Sequence, residues 1–237
     1  MSDTSRLTLP LLAAAQAQKH VTLNEALVRL DAAIGASAIS ASLSSPPVGA
    51  VDGDAYVVGD GASGAWIGRE YDLAFWTNGG WSFLSPTPGA TVWVEDQGAR
   101  LTWIGDRWVA DLAGGHFVGA YSQIRVIGAD VALSGAVVTT SLIIPDRAVV
   151  FGVTARVTDD IVGSGVTGWR IGVSGSSDRY GSGIGLVKDS TANGVTGAPV
   201  AYYADTPVEL EAEGGAFASG GVRLALHYLI LTPPDAV

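Results

Sequence analysis

The sequence has no cysteine, which excludes a disulfide framework and any zinc–thiolate site. Charge is scarce: Asp, Glu, Lys and Arg make up only 15% of the 237 residues, with 13 basic against 23 acidic. The formal net charge of -10 repels a phosphate backbone, and no Lys/Arg cluster offsets it, so nucleic acid is not an expected partner. Long apolar runs are also missing. Leu7 to Ala15 is too short and interrupted to span a bilayer, and no basic region precedes a long apolar stretch. Neither membrane insertion nor a secretory signal peptide is expected.

What is abundant is hydrophobic residues, at 48%, and glycine, at 32 positions without a three-residue period. The first makes a sizeable core affordable; the second excludes collagen and indicates many tight turns. Only Leu9 to Leu30 (LPLLAAAQAQKHVTLNEALVRL) has a helical period. Thr22 and Glu25 fit a capping box, and Gly35 supplies a stop, which predicts a helix over about residues 22–34. Its stripe of Leu23, Leu27, Leu30 and Ile34 needs a cover, from a sheet of the same chain or from neighbouring subunits. Residues 1–8 are polar and read as a loose arm, and residues 40–54 as a Ser/Pro/Gly linker.

Asp54 to Ala110 reads as a small β-meander. Phe75-Trp76-Thr77-Asn78-Gly79-Gly80-Trp81 and Thr102 to Trp108 both carry a turn between an aromatic strand end and a returning Trp, a hairpin signature. Trp66, Trp76, Trp81, Trp93, Trp103 and Trp108 fall here. A small domain uses such side chains to bury enough area; the sharper reading is a sugar-stacking platform. Asp111 to His116 marks a boundary between residues 1–112 and 115–237.

Beyond it, about eight strands rich in Val, Ile, Gly and Thr predict an antiparallel β-sandwich of jelly-roll type. The fold class is therefore mainly β: a helix plus meander, then a sandwich. Val149, Phe151, Val153, Ala155 and Val157 form one apolar face. In the last strand, Val222 to Ile230 supply one apolar face and Ala225, Leu229 and Leu231 a second, as for a strand covered on both sides, the outer one by a neighbouring subunit.

Residues about 4–112 resemble an uncharacterised domain family of tailed phages, prophages and alphaproteobacterial gene transfer agents. The resemblance rests on LPLLAAAQAQKHVTLNEALVRLDA, PPVGAVDGDAYVVGDGASGAW and FWTNGGWSFLSPTPGATVWVEDQGARLTWIGDRW, with Gln16 to Leu27 its most specific core. RAVVFGVTARV, GWRIGVSGSSDRYGSGIG and GGVRLALHY resemble the receptor-binding tips that follow this domain, as in head-spike or tail-fibre proteins. The resemblance implies a homotrimeric spike on a virus-like particle, released by lysis. Residues 1–112 would attach to a capsid or tail protein, and the sandwich would bind host capsular polysaccharide.

Among the residues themselves, Ser174 to Gly185 is the best binding-loop candidate. Asp178, Arg179 and Tyr180 offer bidentate groups and an aromatic face for a sugar, the alternative being a structural turn with an internal ion pair. Trp169, Tyr202 and Tyr203 are secondary candidates against core or interface packing. Glu209, Glu211 and Glu213 alternate on one strand. Neighbours in such a row lie about 6.5–7 Å apart, a distance compatible with glycosidase carboxylates, but one flat face cannot easily flank a substrate. A solvated strand face is the better reading. Asp159-Asp160 could join a Ca²⁺ site but lacks EF-hand spacing. His20, His116 and His227 are far apart, and no nucleophile elbow or phosphate loop is present. His20 reads as a partner for backbone groups beside the helix. No metal, cofactor or catalytic residue is expected. The leading reading is a non-enzymatic adhesin, against a capsule depolymerase or a purely structural fibre or baseplate component.

Overall fold

The computed structural model describes residues 3–12, 19–115 and 119–236. The chain divides into two compact units, Met1–Leu112 and Ala113–Val237. Among the described residues, no helix is long and apolar enough to cross a membrane.

The first unit is built on α1 (Lys19–Ala33). The helix is already formed at Lys19, so Thr22 lies inside it and cannot serve as its N-cap; the expected capping box is not formed. Gln16 to Gln18 lie outside the described residues, as does His116, and Lys19 and His20 are described in their backbone only. The stop is as expected, with Gly35 at φ +59° and Ile34 N–H still donating to Leu30 O. Val28, Asp31 and Ala32, rather than the leucines, turn toward the unit's own core.

The N-terminal arm is not loose. Asp31 is buried and its carboxylate accepts the Thr4 hydroxyl at 2.7 Å, Arg6 N–H at 3.1 Å and Leu7 N–H at 2.6 Å. The Asn24 side chain likewise holds the backbone of Leu12 through both its N–H and its C=O. Polar side chains on the helix therefore pin the arm, which composition alone could not reveal.

Two small sheets complete the unit. β1 (Ser37–Ala38) runs parallel to β5 (Thr91–Val94), which pairs with β6 (Ala99–Trp103) and then β7 (Trp108–Ala110). β2 (Ala55–Val57), β3 (Leu73–Thr77) and β4 (Gly80–Leu84) form the other. The β3–β4 hairpin turns on Asn78 and Gly79, both at positive φ, as a two-residue turn between right-twisted strands requires. Both expected hairpins are present, the second pairing Trp103 with Trp108.

In the second unit β8 (Leu112–Gly115) and β9 (Tyr121–Ala132) lead into β10 (Val137–Ile144), β11 (Val149–Ser164) and β12 (Gly168–Val173). β13 (Ser176–Ile184), β14 (Thr191–Ala201), β15 (Thr206–Glu213) and β16 (Ala216–Thr232) follow. One sheet has the order β14-β11-β16-β9-β8 and the other β10-β15-β12-β13. Counting from β9, the first, eighth, third and sixth strands lie side by side, facing the second, seventh, fourth and fifth. That interleaving is the jelly-roll topology, here extended at one edge by β8. A single core lies between the sheets, with Val150, Val153, Trp169, Ile171, Leu210, Leu224 and Leu226 almost wholly buried.

One face assignment needs correction. β11 gains a residue between Val150 and Gly152 relative to β16, and a one-residue bulge exchanges the two faces of a strand. Val153, Ala155 and Val157 point inward as expected, but so does Val150, while Val149 and Phe151 are only half-buried.

Candidate functional site

The candidates from the sequence do not converge on one loop. Ser174 to Gly185 is mostly strand: Gly175 makes the turn and β13 returns beside β12. The close approach is severe at Gly172, where an added Cβ would sit 2.1 Å from Ser176 O. Within β13, Tyr180 is buried, and its hydroxyl shares a 2.7 Å hydrogen bond with that of half-buried Tyr202. Burial and that hydrogen bond push the Tyr180 phenol far above its ordinary range. Trp169 has no exposed surface and donates its indole N–H to Gly185 O at 3.0 Å. Tyr180 and Trp169 therefore cannot present a ring to a ligand from outside; the alternating strands direct both inward. Asp178, Arg179 and Tyr203 remain exposed, Tyr203 at 85%.

Asp178 joins residues that the sequence had assigned elsewhere. On the outer face of the β10-β15-β12-β13 sheet it borders a shallow depression of about 490 Å³ with Glu209, Glu211, Arg170 and Ser177. Arg170 lies opposite Glu211 in the β12–β15 ladder, and its Nε is 3.4 Å from Glu213 Oε1. Glu213 also accepts Gly183 N–H on both carboxylate oxygens at 3.1 Å. The glutamate row is thus a half-buried ladder face with one member engaged by an arginine and a backbone donor. Asp160 accepts Lys188 N–H at 2.7 Å and Asp159 the Thr158 hydroxyl. Among the described residues, no group of three or more His, Cys, Asp or Glu is arranged to hold a metal ion.

The stripe on α1 is exposed. Leu23, Leu30 and Ile34 are 47%, 49% and 55% accessible and Leu27 is half-buried, so their own unit leaves this face uncovered. The second face of β16 is also open: Leu231 is exposed, as are Ile124 and Val126 on neighbouring β9. His227, opposite Val126 in the β9–β16 ladder, lies within 3.1 Å of the Thr154 hydroxyl.

Most of the tryptophans are packing. Trp66, Trp76 and Trp81 stack edge-on in one cluster with Tyr56, and Trp103 and Trp108 in another with Tyr71. Trp93 alone of the seven is exposed, at 46%. It stands directly opposite Arg100 across the β5–β6 ladder, beside a groove of about 750 Å³. Sequence reasoning grouped Trp93 with the others. The signal that separates it is the alternation in Thr91–Val94, where Trp93 falls in the polar phase and Val92 and Val94 in the apolar one.

Residues 23–109 match the family described as "Protein of unknown function (DUF2793)". No curated protein matches the chain. Among solved structures, it is similar to a chain of the "Cyanophage Pam1 capsid asymmetric unit", at 27% identity over 50% of this chain and 91% of that one, with a TM-score of 0.35. It is also similar to a chain of the "Acidic stable capsid structure of Helicobacter pylori bacteriophage KHP30", at 13% identity over 48% of this chain and 98% of that one, with a TM-score of 0.34. TM-scores at this level do not define a shared fold.

Proposed function

We propose that the protein is a structural component of a virus-like particle, an assembling spike or fibre whose jelly roll meets the recipient cell surface. The observation that carries the assembly half is the uncovered stripe of Leu23, Leu27, Leu30 and Ile34. Their steps of four, three and four residues are those of a coiled-coil seam, while Val28 and Ala32 on the opposite side serve the unit's own core. One helix thus holds its unit together with one face and offers the other to a capsid or tail protein or to identical subunits, as a homotrimer.

The sequence resemblance of residues about 4–112 to a phage and gene-transfer-agent domain supports the setting. Jelly rolls recur in capsid and lectin domains, a fold-level analogy that supports the receptor half without assigning a site. The recipient's capsular polysaccharide would meet the sandwich through the exposed candidates Asp178, Arg179 and Tyr203, without catalysis. Weak sites multiplied over a trimer and over a particle raise avidity without new contacts.

Native mass spectrometry of the full chain is expected to give a trimer, and Leu23→Ser with Leu30→Ser a monomer. A wild-type monomer at every concentration would refute the homotrimer. Fluorescent protein is expected to be retained on capsulated cells and lost when Asp178 and Arg179 are both changed to Ala. Purified capsule that is shortened, with new reducing ends, would make the protein a depolymerase instead.

A further inference from the structure

The groove beside Trp93 belongs to the first unit and is independent of the sandwich and its proposed receptor. Its volume of about 750 Å³ lies within the range of small-ligand sites. Leu73 and Val92 are buried beneath it, and Thr87 and Thr91 line it with Trp93 and Arg100. β1 pairs with only Trp93 and Val94, so Thr91 has no strand neighbour on that side and the groove stays open along the sheet edge.

Its chemistry is specific. An indole face left in water is matched by the C–H face of a pyranose ring, and threonine hydroxyls can both donate to and accept from sugar hydroxyls. Arg100 adds charge. Arg69, Arg156, Arg170 and Arg223 each pair with a carboxylate, whereas among the described residues none pairs with Arg100. In a chain of net charge -10, a cation without a carboxylate partner among the described residues, directly across the ladder from the one exposed tryptophan, is placed to fork an external carboxylate.

We propose that the Trp93–Arg100 groove binds an acidic saccharide, a pyranose stacked on the indole with its carboxylate held by the guanidinium. Trp93 supplies the stacking surface, Arg100 selects acidic over neutral sugars, and the threonines orient the ring.

The test is an array of uronate-containing, sialate-containing and neutral oligosaccharides probed with the full chain. Four proteins are compared: wild type, Trp93→Ala, Arg100→Gln, and the double variant Asp178→Ala with Arg179→Ala. Acidic glycans are expected to bind wild type, to lose about tenfold or more with Trp93→Ala, and to fall to the neutral-glycan level with Arg100→Gln. The Asp178/Arg179 variant is expected to retain that signal. Trp93 and Arg100 are exposed, and thermal unfolding should match wild type in both variants. Trp93→Phe, which keeps a ring, is expected to recover part of the binding. Acidic-glycan binding that survives Trp93→Ala overturns the site, as does the absence of binding to any acidic glycan. Signal lost only in the Asp178/Arg179 variant overturns it too, while favouring the sandwich as receptor domain.

Discussion

Tyr180 holds a hydroxyl in the sandwich core, where it shares a hydrogen bond with another phenol, that of Tyr202. Its phenol is raised above the ordinary value of 10.0 in the folded chain. Above that value the unfolded chain gives up its proton while the folded chain keeps it, so the folded state binds more protons. Stability from this residue is complete below pH 10 and falls as pH rises beyond it. Chemical denaturation at stepped alkaline pH should show that fall, and Tyr180→Phe should flatten it while costing about 0.5–1.5 kcal/mol at neutral pH for the lost hydrogen bond. Trp169→Ala removes a wholly buried ring whose N–H is satisfied, and a loss of about 3–5 kcal/mol is expected from denaturant midpoints. Gly172→Ala drives a methyl toward the Ser176 carbonyl and should cost about 1–3 kcal/mol by the same measurement.

At the scale of the element, α1 has two apolar sides with different duties, and substitution separates them. Leu23→Ser with Leu30→Ser should lower the unfolding midpoint only by what assembly adds, a difference that shrinks on dilution, because both side chains are exposed within their own unit. Ala32→Asp, at a position only 2% accessible, should destabilise it by several kcal/mol, roughly the cost of an unpaired buried charge. Asp31→Ala orphans three donors on the arm; hydrogen exchange at Arg6 and Leu7 should rise about fivefold to 150-fold relative to wild type, as for a loss of about 1–3 kcal/mol locally. The sequence pattern located this helix and its stop, because Leu spacing and Gly35 are local signals. It assigned the cap wrongly because Thr22 and Glu25 satisfy a motif that the helix overruns. It could not tell which stripe faces the core, since Val28 and Ala32 are smaller than the leucines and so carry a weaker apolar signal. Ser174–Gly185 reads as a loop in the sequence for a related reason: Gly, Ser and Asp in SGSSDRYGSGIG are turn formers, and only the ladder with β12 shows that they form a strand. Hairpins at Asn78-Gly79 and the interleaved sandwich were legible, because turn chemistry and alternation are both written in neighbouring residues.

At the scale of the whole molecule, each unit has its own core, and six of the seven tryptophans belong to the first. Trp169→Ala should therefore lower the melting of the sandwich in calorimetry while leaving most of the tryptophan fluorescence transition unmoved. The pairing of β9 with β16 has a mechanical side as well. The first and last long strands of the sandwich run antiparallel through twelve matched positions, from Ala132–Gly221 to Tyr121–Thr232, so the start of β9 and the end of β16 lie side by side at one end of the ladder. A force applied between those two ends would open the ladder one rung at a time, as a zipper, instead of loading all rungs together in shear. Optical-tweezer traces pulled from residues 120 and 233 should show unfolding at lower force than traces pulled from one end and Gly175. A sandwich tethered at only one of its two ends never bears that load.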